Sequence, residues 1–575
     1  MVVSNKYNKI NPYLSMKFQR SLFLLSLFTA TLAYADDVPV ETARTIAMER
    51  LGASDVHLVN PSPMPTRAVS PSQPYYIFND ADGSGYVIVS GDDSMPSVFG
   101  YSDSGSINIS NMPGGLVNML RMYSECVETA KTKGGLEAEE DAKPSLFSSH
   151  PESVSPLLTT MWGQGKPYNQ YCPEGTVVGC VATAAVQVMK YYAWPSKGKG
   201  MVTTLYNGSN LTVDLNNSTY AWDQMKDNLY DNLDSPEASD AVARISYDFG
   251  VAAKLNYGQE TGGSNACALR ALYTYFSYDG TDMQFLFRDW FSTEEWMDML
   301  KSELAAGHPV LYDGSSYLPD GSQTGHAFVL DGYDEIGYVH VNWGWDGYAD
   351  GYYDIALLNP DHYTFNLTQE MIIGVRPGKD LTTVSEPNYR LVTSTPLKTK
   401  EDKVNYGVTG SSIFTIMNPE VINRMDYNYN GEGSIALFDA AGHLIKQDIR
   451  NAKSFKFTIS LPMNYYYAGE SKEISCSLPS KLADGEYILR FVTYDSRTEK
   501  WTIPYTIGGS MNNYIRVVLA DKKAKFDYEP TTAIDRIPMA DNTDDTTYDL
   551  SGKVVPANTN GIVIRNGRKY LQRSK

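Results

Sequence analysis

One stretch, GTVVGCVATAAVQVMKYYAWP, constrains this chain more than any other. Gly175 and Gly179 mark a loop, and Ala182 to Tyr192 has the composition and spacing of a buried helix. Such a helix must sit inside a packed core rather than on a surface. It also sets a thiol in a particular place, because Cys180 falls at the helix start. The unpaired N–H groups of a first turn and the positive end of the macrodipole both favour thiolate, the reactive form. The Cys180 backbone N–H is also placed to donate to an oxyanion formed on an attacked carbonyl. A buried structural cysteine is the alternative that this segment alone leaves open.

A second segment bears on that choice. TGHAFVLDGYDEIGYVHVNWGWDGYADGYYDI carries His326 after a glycine, then a strand, a turn near Glu335-Ile336-Gly337 and a returning strand. The hairpin brings Asn342 and Trp343 back beside His326, about 150 residues after the helix-start cysteine, the order and separation of papain-like enzymes. Neighbouring strand residues point to opposite faces, so Asn342 and Trp343 cannot both face the imidazole unless the strand ends there. Either the Asn342 side chain sets the tautomer or Trp343 shields and positions the ring. Gly344, Gly347 and Gly351 make the following loop a mobile rim for a cleft.

Together the stretches WGQGKPYNQYCP, VVGCVATAAVQVMKYY, GHAFVLDGY and VNWGWDGYADGYYDI resemble the streptopain family of cysteine peptidases, from Leu157 to about Pro377. The segment from Pro39 to Leu136, with YVIVSGDDSMPSVFGYSDSG, is similar to that family's inhibitory propeptide. The resemblance implies a papain-like fold in which Cys180 is the nucleophile and His326 takes its proton. It further implies that the side chain of Gln164, in WGQG, joins the Cys180 N–H in the oxyanion hole. The implied partners are protein and peptide substrates, with the chain's own propeptide as inhibitor.

The remaining chain divides around this centre, and its 575 residues call for several cores. Lys17 and Arg20, the apolar run from Ser21 to Leu32 and Ala33-Tyr34-Ala35 read as a cleavable signal peptide over 1–35, too short for a stable membrane span. Residues 36–150 read as an α+β propeptide followed by an exposed, cleavable linker at Glu137–Val154. Its Asp80–Gly85 stretch is a hairpin turn rather than a calcium loop, lacking the distal glutamate of an EF-hand. Residues 151–378 form the catalytic unit, and 379–526 read as short alternating strands of a β-sandwich. Residues 527–575 are a polar linker and a short β tail, basic at its end, which resembles a type IX secretion sorting domain; an edge-strand pair of the sandwich is the other reading. The fold class expected is therefore α+β.

A formal charge of −19 argues against binding nucleic acid or anionic membrane, since both need a basic face. There is no H-E-x-x-H and the seven histidines are scattered, so no metal or other cofactor is expected. Five cysteines in an exported chain make no disulfide framework, and the odd count leaves a free thiol. Two other functions stay in view: a transglutaminase-like acyl transferase, which would want an Asp at position 342, and a surface adhesin carrying an inactive peptidase-like unit.

Overall fold

The computed structural model describes residues 37–527 except 60–72, 113, 134–149, 230–234, 318–322, 357–367 and short breaks between 388 and 512. It also describes four short strands between 547 and 572. The signal-peptide segment, the core of the Glu137–Val154 linker and most of the polar stretch after Asp527 lie outside the described residues.

Helix α1 (Val40–Leu51) is followed by strands β1 (Val56–Val59), β2 (Tyr75–Asp80), β3 (Tyr86–Ser90) and β4 (Val98–Ser102), then by helix α2 (Gly114–Lys133). The Asp80 carboxylate accepts from the Asp82 N–H (3.3 Å) and the Ser84 hydroxyl, and Gly83 takes φ 72°, so this acidic stretch is the β2–β3 hairpin turn. Cys126 is buried on α2.

Helix α3 (Cys180–Tyr192) precedes a two-stranded ribbon, β5 (Met201–Tyr206) and β6 (Ser209–Asp214), and helices α4 (Pro236–Ala252) and α5 (Asn265–Tyr275). Then come β7 (Gln284–Phe287), α6 (Thr293–Ala305), β8 (Val310–Tyr317), β9 (Gln323–Tyr333), β10 (Val339–Asn342), β11 (Gly351–Tyr353) and β12 (Thr368–Ile373). One antiparallel sheet runs β1-β2-β3-β4-β11-β10-β9-β8-β12-β7. The N-terminal unit and the catalytic unit thus share a sheet, joined where Tyr101 faces Tyr352 and Gly100 faces Tyr353.

Alternation along β9 assigns the two faces of that sheet. Ala327 and Val329 enter the core built by α3, α4 and α5, whereas Phe328 and Leu330 enter the core built by α2 and α6. His326 has the parity of Phe328 and so lies on the α2 side. That single-residue parity decides which element covers the imidazole.

The C-terminal unit is a β-sandwich. Its larger sheet includes Tyr429–Asp439, Gly485–Asp495, Tyr514–Ala520 and Lys523–Asp527; the facing sheet contains Ile413–Met417 and Glu473–Ser477. Phe414, Ile416, Ile474 and Cys476 meet Leu437, Phe491, Ile515 and Val517 in one core between them. The sandwich docks on the catalytic unit through Tyr505, whose ring stacks on Trp290 at 5.0 Å and whose hydroxyl donates to Gln284 Oε1 at 2.8 Å. The tail strands Thr547–Tyr548, Val554–Val555, Gly561–Arg565 and Arg568–Gln572 form a separate four-stranded sheet.

Candidate active site

Cys180 is the first residue of α3. Its N-cap, Gly179, adopts φ 93°, and a Cβ there would stand 2.8 Å from Thr261 Cγ2 and 2.9 Å from the Thr261 carbonyl oxygen. Only glycine fits, which is how the sequence turns the chain sharply into the helix. The backbone N–H groups of Ala327, Val181 and Cys180 itself lie near the thiol. Those donors favour thiolate, but burial outweighs them and the nearby Asp313 carboxylate adds to it, so the thiol is pushed up to about 11.

His326 is buried at 6% exposure. Its Nε2 lies 2.9 Å from the Trp343 carbonyl oxygen. A carbonyl only accepts, so Nε2 carries the proton and Nδ1 is the basic nitrogen of the ring. Burial holds the imidazole down at about 4, against a smaller opposing effect of that hydrogen bond. The rings of Trp343 and Trp345 lie 6.3 and 6.4 Å from the imidazole, centroid to centroid.

Asn342 is not the direct partner of the ring. Its Oδ1 accepts from Gln187 Nε2 (2.9 Å) and from the Gly344 N–H (3.1 Å), and its Nδ2 donates to the Thr160 carbonyl (2.7 Å). Both lone pairs of Oδ1 are taken, so it has none to offer Nε2–H. The group on Nε2 is the backbone of Trp343. A register irregularity between His340 and Val341 and the end of β10 at Asn342 release the next residue from strand geometry. Trp343 is held in turn by Asp350, whose Oδ1 accepts from the Trp343 N–H at 2.9 Å. His340 packs structurally, with Nδ1 2.6 Å from Asp331 Oδ1.

Gln164 is half-buried, and its carbonyl accepts from the Val178 N–H (3.0 Å), two residues ahead of Cys180. The loop from Gly344 to Gly351 lies beside this segment: the Asp346 N–H donates to the Trp162 carbonyl (3.3 Å), and a Cβ on Gly163 would stand 2.5 Å from Asp346 Oδ2.

Several residues at the site escape sequence reasoning. Asp313 on β8 is in register with Ala327 on β9 and with Glu370 on β12. Desolvation by burial raises both acids well above the usual carboxylate range. Gln187 is the one amide in a largely apolar helix and lies between two valines, a signal that was available. Gly115 of α2 is another: a Cβ there would stand 2.5 Å from His326 Cδ2 and 2.5 Å from Trp343 Cζ3. The first turn of α2 therefore rests directly on the imidazole.

Comparison with known proteins bears on this arrangement. The sequence matches the Peptidase C10 family over residues 162–353 and the Spi protease inhibitor family over residues 35–127. The thiol protease/hemagglutinin PrtT of Porphyromonas gingivalis is 31% identical over 339 residues, 53% of this chain and 37% of PrtT. Streptopain of Streptococcus pyogenes is 32% identical over 329 residues, 52% of this chain and 80% of streptopain. Among solved structures, a prointerpain A fragment from Prevotella intermedia is 35% identical and covers 56% of this chain and all of the fragment, with a TM-score of 0.48. Active interpain A from the same organism is 40% identical over 40% of this chain and all of its own, with a TM-score of 0.37.

Proposed function

From its membership of the Peptidase C10 (streptopain) family of cysteine peptidases, we propose that this chain is a secreted endopeptidase made as a self-processing zymogen, with Cys180 as nucleophile and His326 as base. The observation that carries the reading is the placement of a helix-start thiol near the Ala327 backbone N–H and of an imidazole on the residue before Ala327, with Nε2 bonded so that Nδ1 is its basic nitrogen.

The chemistry follows from those positions. Nδ1 takes the Cys180 proton, and the thiolate attacks the scissile carbonyl carbon. The resulting oxyanion receives hydrogen bonds from the Cys180 N–H and the Gln164 side-chain amide. As the tetrahedral intermediate collapses, the C–N bond breaks, the departing amine takes the proton from His326 and a Cys180 thioester remains. Water, deprotonated by Nδ1, attacks that thioester; the acid leaves and the thiol is restored.

In the precursor the pair is held uncharged. Burial moves the thiol up and the imidazole down, and α2 occupies the face of His326. The family match over residues 35–127 supports reading this unit as the inhibitory propeptide. The maturation cut belongs ahead of His150, because the chain from there on is tied to the catalytic unit. His150 Nε2 is 2.9 Å from Asp298 Oδ1, and the Val154 N–H donates to the Tyr333 carbonyl (2.8 Å). Export across the inner membrane would use the 1–35 segment, and outer-membrane passage the 548–575 tail, whose strands pair among themselves rather than with the sandwich. Deleting residues 548–575 in a native host should leave an active enzyme in the periplasm; its normal appearance outside the cell would remove the sorting role.

The decisive test is hydrolysis of casein and peptides by the matured protein. Hydrolysis should stop with an epoxide thiol-protease inhibitor, ignore chelators and be absent, along with self-processing, from Cys180→Ala. A Cys180→Ala chain that still matures and cleaves would overturn the assignment.

A further inference from the structure

The nucleophile and the base sit on different elements, Cys180 on α3 and His326 on β9, and catalysis needs them in register to within a fraction of an ångström. The hydrogen bonds supply one route between them that runs through side chains. Gln187 is seven positions after Cys180 on α3. At about 100° per residue this is within about 20° of two full turns, so the two side chains lie along one face. Gln187 is fully buried, and its amide is used at both ends. Oε1 accepts from the Trp162 N–H (3.2 Å), and Nε2 donates to Asn342 Oδ1 (2.9 Å).

From Asn342 the path goes on without a gap. Oδ1 accepts from the Gly344 N–H at 3.1 Å. That N–H belongs to the Trp343–Gly344 peptide, and the carbonyl oxygen of the same peptide accepts from His326 Nε2 at 2.9 Å. A planar peptide held at its N–H by Asn342 has its carbonyl direction fixed. The bond to Trp162 ties the third part of the machinery to the same amide, since Gln164 follows two residues later.

We propose that Gln187 is a positioning residue, fixing His326 and the Gln164 segment against the Cys180 helix through Asn342, the Trp343–Gly344 peptide and Trp162. The proposal rests on the assignment of Cys180 and His326 as the catalytic pair. It gives Asn342 a role different from that of a direct ring partner: it holds the peptide that holds the ring. It also accounts for an amide in a helix whose neighbours Val186 and Val188 are buried and apolar, where an unsatisfied amide would be costly.

The test uses Gln187→Leu and Gln187→Met, both close in volume and both lacking the amide that donates to Asn342 and accepts from Trp162. Val186→Ala serves as a control for plain loss of core packing. All are matured in trans by wild-type enzyme. Peptide kinetics and the pH dependence of Cys180 alkylation by iodoacetamide are measured below each protein's unfolding temperature. Both Gln187 variants should lose about 10- to 100-fold in kcat with KM within about twofold, the scale expected for misplaced groups. Alkylation at pH 5–6, which requires thiolate paired with imidazolium, should fall with it. Val186→Ala should lower the unfolding temperature and leave both readouts unchanged. Gln187→Met with wild-type kcat and an unchanged alkylation profile would overturn the proposal, as would a Val186→Ala profile matching that of the Gln187 variants. Wild-type enzyme that is itself inert to iodoacetamide would instead refute the underlying assignment of the pair.

Discussion

A methyl group at position 115 should loosen the precursor's grip on its own active site. An added Cβ would lie 2.5 Å from both His326 Cδ2 and Trp343 Cζ3, about 1 Å inside ordinary carbon contact. Neither neighbour yields easily, since His326 is bonded to the Trp343 carbonyl and Trp343 is fully buried. Overpacking of this kind costs about 1–3 kcal/mol, while replacing a helical glycine by alanine returns up to about 1 kcal/mol. A net loss of about 1–2 kcal/mol corresponds to roughly 5- to 30-fold more of the open precursor at equilibrium. Gly114 supplies the control, because a Cβ there meets nothing within 4 Å. Gly114→Ala therefore carries the helix term without the collision. Freshly purified precursors are exposed briefly to a small thiol reagent, and Cys180 alkylation is scored by mass on chains still full length. Gly115→Ala should react 5- to 30-fold faster than wild type, by the estimate above, and Gly114→Ala no faster than wild type. Equal rates for the two alanine variants would refute the idea that α2 blocks the site by contact at Gly115.

Three further outcomes are expected. Gln164→Ala should lower kcat about 100-fold or more with little change in KM, since its bond to the oxyanion forms mainly in the transition state; a raised KM at unchanged kcat would remove it from the oxyanion hole. Asp313→Asn removes a carboxylate that raises the Cys180 thiol, so the midpoint of precursor alkylation should move to lower pH, and a fixed midpoint would show that the carboxylate is not felt. Burial raises Asp350 to about 7 and raises Asp313 and Glu370 in the same direction, so the folded state binds more protons than the unfolded one from about pH 4 upward to those raised values. Their contribution is full below pH 4 and is lost as pH rises, while His326, held at about 4, adds stability above its unfolded value of 6.5 and loses it toward 4. Asp350→Asn keeps an acceptor for Trp343 and abolishes one titration, so the drop in unfolding temperature between pH 5 and pH 8 should shrink; an unchanged drop would place the titration elsewhere.

Much of the site was legible because it is written in local pattern. A glycine loop followed by an apolar helix fixes where Cys180 sits, and the Glu335-Ile336-Gly337 turn fixes which strand returns beside His326. The sequence left the ring's orienter split between Asn342 and Trp343, because alternation on an unbroken strand lets only one of them face the imidazole. The irregularity at His340/Val341 and the strand end at Asn342 hand the ring to a main-chain carbonyl, and a carbonyl has no signature in a sequence. Gly114-Gly115 was readable as a helix start, but the element that presses on Gly115 lies more than 200 residues away in the chain. The joining of β4 to β11 was beyond reach for the same reason, since both strands look like ordinary members of their own units.

On the proposed maturation, that joint would leave the processed enzyme with a new boundary. While β4 is in place, β11 is an interior strand with a neighbour on each side. Once the N-terminal unit departs, β11 becomes a sheet edge whose outward N–H and C=O groups have lost their partners, an arrangement that invites pairing with other chains. Gly351–Tyr353 is only three residues long and begins with a glycine, so the edge offers very little template. The brevity of β11 lets one strand act as a strong seam in the precursor, where Tyr86 and Tyr101 of the N-terminal unit brace it, and as a poor nucleus for self-association afterwards.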